Sequence, residues 1–373
     1  MHPDVGTGGV QVLVSELSAV IAARLVDWYG SSATLSAAAS VRVRPWSILV
    51  RFPIRIEGRV GGADALLVKV RRHPDYDVPR IMDDAGLRAQ GRNEFDALRR
   101  LESLTRGSDA HCAIRAVEYL DRWNALVMEE LSARTLKTHL RHPAAAVSRR
   151  TQHRLEEVFV RAGSLLRVFH DGAAGAHDGP IVDADAMGSV TAGLDEVEQS
   201  SRDRLDVDGL RAVVGRVVDL GPDVTVPYAP LHCDFNCANI MVDANDRVAL
   251  LDPRLLVGPV YRDLARLVVD LETFNVQAMT HGLYLRRSAE TFAEAVPRGY
   301  FGASPLNRVA LEFFIIVAIL DKWRYDSERK ARATRPRVLQ LVDDRAIVWR
   351  RRLLERLLKR QHDHLDAALG PYA

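Results

Sequence analysis

The run Leu231 to Arg254, LHCDFNCANIMVDANDRVALLDPR, constrains this chain more than any other stretch. Two short apolar segments, Ile240 to Asp243 and Val248 to Leu251, flank Ala244-Asn245-Asp246-Arg247. Asn and Asp tolerate the left-handed backbone that a tight turn demands, so the run predicts loop, strand, turn, strand. With Asn245 and Asp246 at the turn centre, Asn239 falls opposite Asp252, and Asp234 stands in the loop leading in. Hard divalent cations take oxygen ligands and share them with phosphate. One Asp to position a hydroxyl, with an Asn and an Asp to hold metal, is the set that phosphoryl transfer needs. A plain hairpin that carries three polar residues is the alternative, and the rest of the chain must decide between them.

The order His232-x-Asp234-x-x-x-x-Asn239, then a hairpin, then Asp252 resembles the catalytic core of the eukaryotic-like kinases. Its form is similar to the aminoglycoside phosphotransferase and choline kinase family, whose usual text is H-G-D-x-x-x-x-N. Cys233 stands where that text has Gly, and Asn236-Cys237-Ala238 replaces a common His-Pro-Gly run. The resemblance implies an α+β, bilobal, protein-kinase-like fold. Residues 1–128 would form an N-terminal lobe, a small antiparallel β-sheet with a helix that binds ATP. Residues 129–373 would form a mostly helical C-terminal lobe with the catalytic loop and the acceptor site.

Composition sets the outer bounds. The 373 residues give room for two lobes, and 47% hydrophobic with 27% charged residues is ordinary for a globular protein. A net charge of +2 supplies no overall polycation, so nucleic acid is not expected as a partner. From Lys322 to the end, 14 Lys and Arg face 7 Asp and Glu, which leaves −5 for residues 1–321. A solvated helix face is the expected reading of that basic end, with a membrane-surface contact as the alternative. Arg supplies 46 of the 51 basic residues, which sets Lys69 apart. The cysteines Cys112, Cys233 and Cys237 are too few and odd in number for a disulfide framework, and fit a reducing cytoplasm. No second pair stands at zinc-ligand spacing from Cys233 and Cys237. The N-terminus lacks the charged start and apolar core of a signal peptide. The longest unbroken apolar run, Phe313 to Leu320, is too short to span a bilayer. Nothing in the sequence sets the oligomeric state.

Along the chain, residues 1–10 are Gly-rich and expected to fray, and Leu17, Ile21, Leu25 and Trp28 predict a helix over 15–29. Residues 31–40 read as a separator. Alternation from Val41 to Val70 predicts three antiparallel strands with Lys69 near the end of the third. No G-x-G-x-x-G joins the first two. Trp46 and Ser47 are the candidates to meet phosphate there, through backbone N–H groups or the Ser47 hydroxyl. Residues 58–63 are expected to turn and 73–91 to form a loop. A helix over 93–104 carries Glu94 on the face of Leu98 and Leu101. A buried carboxylate wants a cation, and Lys69 is the candidate. Two strands near 113–120 and 125–128 complete a five-stranded sheet.

The resemblance implies the remaining roles. Lys69 would hold the ATP phosphates and Glu94 would hold Lys69. Backbone groups of Glu129 and Leu131 would meet adenine. Asn239 and Asp252 would hold Mg²⁺, and Asp234 would act as the base. His170 ends a helix over 155–170 as a packing residue, and Asp263 would brace the catalytic loop. Arg254 meets either an anion or a surface partner. Helices near 184–200 and 206–219, with no long activation segment after Asp252, favour a small-molecule acceptor over a protein. The expected activity is ATP-dependent phosphorylation of a hydroxyl on a sugar or sugar-containing metabolite. Aminoglycoside phosphorylation and a nucleotide-binding pseudokinase or regulatory partner are the alternatives.

Overall fold

The computed structural model describes residues 7–36, 39–57, 64–172, 177–201, 204–221, 224–274, 280, 283–285, 288–331 and 337–372. The chain divides into two compact units. The first is Met1–Ala133 with Asp243–Asn245 and Ala249–Leu255; the second is Arg134–Val242 with Asp246–Val248 and Leu256–Ala373.

The first unit opens with α1 (Thr7–Tyr29), followed by β1 (Ala33–Leu35), β2 (Ser40–Arg44), β3 (Ser47–Ile56) and β4 (Ala65–Arg71). Then come α2 (Val78–Asp83), α3 (Ala85–Thr105), β5 (Ala116–Leu120) and β6 (Ala125–Glu129). The sheet is antiparallel in the order β1-β3-β4-β6-β5, with β2 also paired to β3. It therefore has six strands, not five. The extra one, β1, is too short for its alternation to register. On β4, Leu66, Val68 and Val70 enter a core with Leu13, Leu17, Ile21 and Leu25 of α1. Leu67, Lys69 and Arg71 share the other face, where Leu67 joins Leu98, Leu126 and Met128.

Two further expectations fail in this unit. Helix α1 begins at Thr7, inside the segment expected to fray. Its Gly8–Tyr29 stretch, with a window of mean hydropathy 1.6, is long and apolar enough by composition to cross a membrane. Gln11, Ser15, Glu16, Ser18, Arg24 and Asp27 interrupt it, so it contains no long unbroken apolar run. Residues 73–91 also hold α2 and most of the first half of α3, not a loop. Asp77 Oδ1 accepts the Arg80 N–H at 3.0 Å and Asp84 Oδ1 accepts the Leu87 N–H at 2.7 Å. Of the residues that read as breakers, Asp77 is the N-cap of α2 and Pro79 stands in its first turn. The turn expected at 58–63 lies outside the described residues.

The second unit contains most of the helices. In chain order it has α4 (Leu136–Arg141), α5 (Ala144–Val147), α6 (Arg149–Asp171), β8 (His177–Pro180), α7 (Ala184–Ser201) and α8 (Val207–Asp219). These follow a short strand, β7 (Ala133–Thr135). Strands β9 (Thr225–Leu231) and β12 (Leu256–Pro259) bracket in sequence the hairpin strands β10 (Ile240–Asp243) and β11 (Val248–Leu250), of which Asp243 and Ala249–Leu250 belong to the first unit. Then come α9 (Tyr261–Glu272), α10 (Ala289–Phe301), α11 (Arg308–Ala331) and α12 (Arg337–Leu369). The helices expected near 184–200 and 206–219 are α7 and α8. Strands β12, β9 and β8 form an antiparallel sheet, so β9 ends at Leu231, where the loop bearing Asp234 begins. Helices α6 and α10 pack backbone to backbone. A Cβ on Gly163 would lie 2.1 Å from the Val296 carbonyl oxygen, and one on Gly299 would lie 2.0 Å from that of Val160.

Candidate active site

The first group of site residues is built on β4 and α3. Lys69 is a central-strand residue opposite Leu49 and Leu126, and only 6% exposed. Its Nζ donates to Glu94 Oε1 at 2.8 Å and to Asp252 Oδ1 at 2.5 Å. Glu94 lies buried on α3, on the face of Leu98 and Leu101 as its spacing requires. Arg71, two residues beyond Lys69 on the same strand face, donates from Nη2 to Glu94 Oε2 at 2.6 Å. Two cations thus serve two carboxylates. Burial pushes the Glu94 carboxyl above its ordinary range, against the pull of Lys69 and Arg71. Burial also pushes Asp252 up, but Lys69 more than reverses it, and the carboxyl falls to about 2.

The second group is the loop 232–239. Asp234 receives both flanking amides: Asn236 Nδ2 donates to Oδ1 at 2.9 Å and Asn239 Nδ2 donates to Oδ2 at 2.8 Å. The same nitrogens reach the Asp234 carbonyl at 3.1 and 2.9 Å. A carboxylate and a carbonyl are both acceptors, so each amide must face them with nitrogen. The Asn239 amide oxygen is thereby turned away from Asp234. Cys233, where the kinase text has Gly, has φ 65, the left-handed conformation that favours glycine.

A sequence model described as "Phosphotransferase enzyme family" (APH) matches residues 60–305, about two thirds of the chain. The chain belongs to this phosphotransferase family. Among solved structures it is similar to a choline/ethanolamine kinase family protein from Mesorhizobium loti, at 14% identity and a TM-score of 0.52, over 95% of this chain and 99% of that one. A glucosamine kinase bound to glucosamine, ADP and phosphate has 15% identity and a TM-score of 0.49, over 93% and 82%. A macrolide 2'-phosphotransferase has 12% identity and a TM-score of 0.46, over 91% and 96%. No curated protein matches. The fold is therefore the α+β protein-kinase-like one, and the protein is a small-molecule phosphotransferase.

One helix of this phosphotransferase organises the loop. On α9, Asp263, Arg266 and Asp270 lie at i, i+3 and i+7, on one face. Asp263 accepts the His232 N–H at 2.6 Å and the Cys233 N–H at 2.9 Å. Asp270 Oδ2 accepts the Cys237 N–H at 3.0 Å. Arg266 Nε lies 3.5 Å from Asp234 Oδ1. Asp263 is fixed in turn by His170 Nε2 at 3.1 Å, while His170 Nδ1 meets the Tyr300 hydroxyl at 2.9 Å. Burial would raise the Asp263 carboxyl, but the His170 hydrogen bond and the loop amides hold it below its ordinary value. Burial drives the Cys237 thiol well up, and Asp270 adds to this, so Cys237 is a neutral packing group.

The sequence candidates thus fall into two sets. Lys69, Glu94 and Asp252 meet in the first unit; Asp234 and Asn239 meet in the second. Glu129 is tied elsewhere: its carboxylate accepts from Tyr29 and Arg115, and its N–H donates to the Arg115 carbonyl at 2.9 Å. The Leu131 carbonyl accepts the Ala133 N–H. Ser47 is buried and paired with Arg44 on one side and Arg71 on the other, and the turn exposes Trp46. Arg254 is exposed. Sequence reasoning missed Arg71, Asn236, Arg266 and Asp270. Only Arg71 had a local signal, its two-residue offset from Lys69.

Proposed function

We propose that this phosphotransferase moves the γ-phosphoryl of ATP to a hydroxyl of a small molecule, a sugar or sugar-containing metabolite. The observation that carries this reading is the Asp234 carboxylate, oriented by two amides on a loop fixed at both ends by α9. Asp234 takes the hydroxyl proton as the acceptor oxygen forms its bond to phosphorus and the bond to the ADP oxygen breaks. Lys69, held by Glu94, steadies the phosphates that stay behind. Backbone groups of Glu129 and Leu131 meet adenine, and the turn at Trp46 and Ser47 covers the phosphates.

Asn239 and Asp252 are the residues that would hold Mg²⁺. Their chemistry fits a hard cation: one offers an amide oxygen, the other a carboxylate ionised far below neutral pH. Among the described residues no three His, Cys, Asp or Glu side chains gather as a metal cage. A magnesium ion that keeps phosphate and water ligands needs only one or two from the protein. When bound, it neutralises charge on the phosphates. The low, odd cysteine count supports a cytoplasmic setting.

The test compares Asp234→Asn with Asp252→Ala by calorimetric titration of Mg-ATP and by product formation against sugars, nucleosides and aminoglycosides. Asp234→Asn is expected to keep nucleotide binding and lose most turnover. Asp252→Ala is expected to lose both. Turnover retained by both variants would overturn the reading.

A further inference from the structure

Some arginines of this protein are tightly matched. Arg51 forks onto Glu130 at 2.7–3.0 Å, and Arg154 onto Asp246 at 2.5–2.9 Å. Arg262 and Arg266 of α9 are not. Arg266 is half exposed, with its Nε 3.5 Å from Asp234 Oδ1; Arg262, one turn earlier, lies 3.7 Å from the highly exposed Asp185. Those are loose contacts, and no hydrogen bond of either guanidinium is made among the described residues. A third carboxylate, Asp321 of α11, is half-buried and answers to three cations at once: Arg266, Arg262 and Arg324. Ten guanidinium N–H donors thus stand on one helix beside the base, facing carboxylates but hydrogen-bonded to none among the described residues.

We propose that Arg262 and Arg266 recognise an anionic group on the phosphoryl acceptor, a phosphate or carboxylate carried by the molecule whose hydroxyl reaches Asp234. This rests on the kinase reading given above. Residues four apart on a helix rise about 6 Å, so one small anion can bridge the two forks. Arg266 is in reach of Asp234 itself, so the anion and the reactive hydroxyl belong to one compact molecule, such as a sugar phosphate or a sugar acid. The same pair repels quaternary ammonium and polyamine acceptors. Planar, two-pronged donation is a property of arginine that lysine does not reproduce.

The experiment uses the full chain with Mg-ATP and matched acceptors: glucose 6-phosphate, glucuronate, glucose, glucosamine and choline. Binding of each without ATP is measured by calorimetry, and turnover by ADP release. Arg262→Gln, Arg266→Gln and Arg266→Lys are compared, with melting temperatures to confirm folding. The wild type is expected to bind and phosphorylate an anionic acceptor best; whether phosphate or carboxylate is preferred identifies the group. Each Arg→Gln change is expected to lower the kcat/KM ratio of anionic over neutral acceptor about tenfold, chiefly through KM, with Arg266→Lys only partly restoring it. Preference for glucosamine or choline would overturn the charge assignment and leave the kinase reading standing. An Arg266→Gln loss that is equal for all acceptors and confined to kcat would also overturn it, assigning Arg266 to the transferred phosphoryl instead. Absence of turnover with every acceptor would count against a sugar-type acceptor, while anion binding lost in the Gln variants would still uphold the site and anion binding kept in them would overturn it.

Discussion

Arg71 Nη2 lies 2.6 Å from Glu94 Oε2, on the same buried carboxylate whose other oxygen takes Lys69 at 2.8 Å. Burial favours the protonated form of Glu94, and Lys69 and Arg71 work against it. A protonated Glu94 would hold Lys69 less firmly, and Arg71 opposes that protonation. Replacing Arg71 with Gln removes one opposing cation and moves the Glu94 carboxyl further up. KM for ATP is then expected to rise at a higher pH in Arg71→Gln than in wild type as the solution is acidified. Superimposable KM–pH profiles would show that Arg71 has no such part.

The pH dependence of stability follows from Asp252. Its carboxyl drops from the ordinary 3.8 to about 2, because Lys69 outweighs burial. A carboxyl depressed in the folded state stabilises the fold above its unfolded pKa, and that contribution is lost as pH falls through the folded value. Asn tolerates the left-handed backbone at this position (φ 56) and removes only the charge. The Asp252 side chain is 44% exposed, and solvent screening limits the effect to roughly 1 kcal/mol. Asp252→Asn is expected to be the less stable protein at pH 7, with the gap closing between the ordinary value of 3.8 and about 2. Urea midpoints at several acidities decide it, and a gap that stays constant refutes the linkage.

The sequence made the chemistry-bearing residues readable because their order and spacing are local. Asp234, Asn239 and Asp252 lie within one short run. Lys69 announced itself by strand alternation and Glu94 by the helical offset to Leu98. What stayed hidden depends on which helix meets which loop. The resemblance marked Asp263 as the brace of that loop, but nothing in the string says that Arg266 and Asp270, on the same face of α9, also look at residues 232–237. Strand β1 and helix α2 were hidden for another reason. Three residues cannot display a period, and an Asp-x-Pro start looks like a turn until its side chain caps the helix.

Cys233 supplies a direct test of the loop backbone. At φ 65 an L-residue is strained, and Gly is not. The N–H that donates to Asp263 survives any substitution there except proline. Cys233→Gly is expected to be more stable than Cys233→Ala by about 1 kcal/mol, since both lose the thiol and only one is relieved of strain. Equal unfolding midpoints for the two would argue against the left-handed conformation.

Gly163 and Gly299 connect helix packing to the site. A methyl on Gly163 would meet the Val296 carbonyl oxygen at 2.1 Å, and one on Gly299 would meet that of Val160 at 2.0 Å. Backbone carbonyls cannot swing aside as side chains do, so α6 and α10 must separate to admit either methyl. The same two helices carry His170 and Tyr300, whose contact at 2.9 Å leads through Asp263 to the loop of Asp234. Each Gly→Ala change is therefore expected to destabilise the fold by about 3 kcal/mol or more. Protein that still folds should lose kcat more than affinity for ATP, because the displaced helices carry the base's support and none of the residues around Lys69. Thermal unfolding and steady-state kinetics on the two single variants test both halves, and an alanine variant as stable as wild type would refute the close approach.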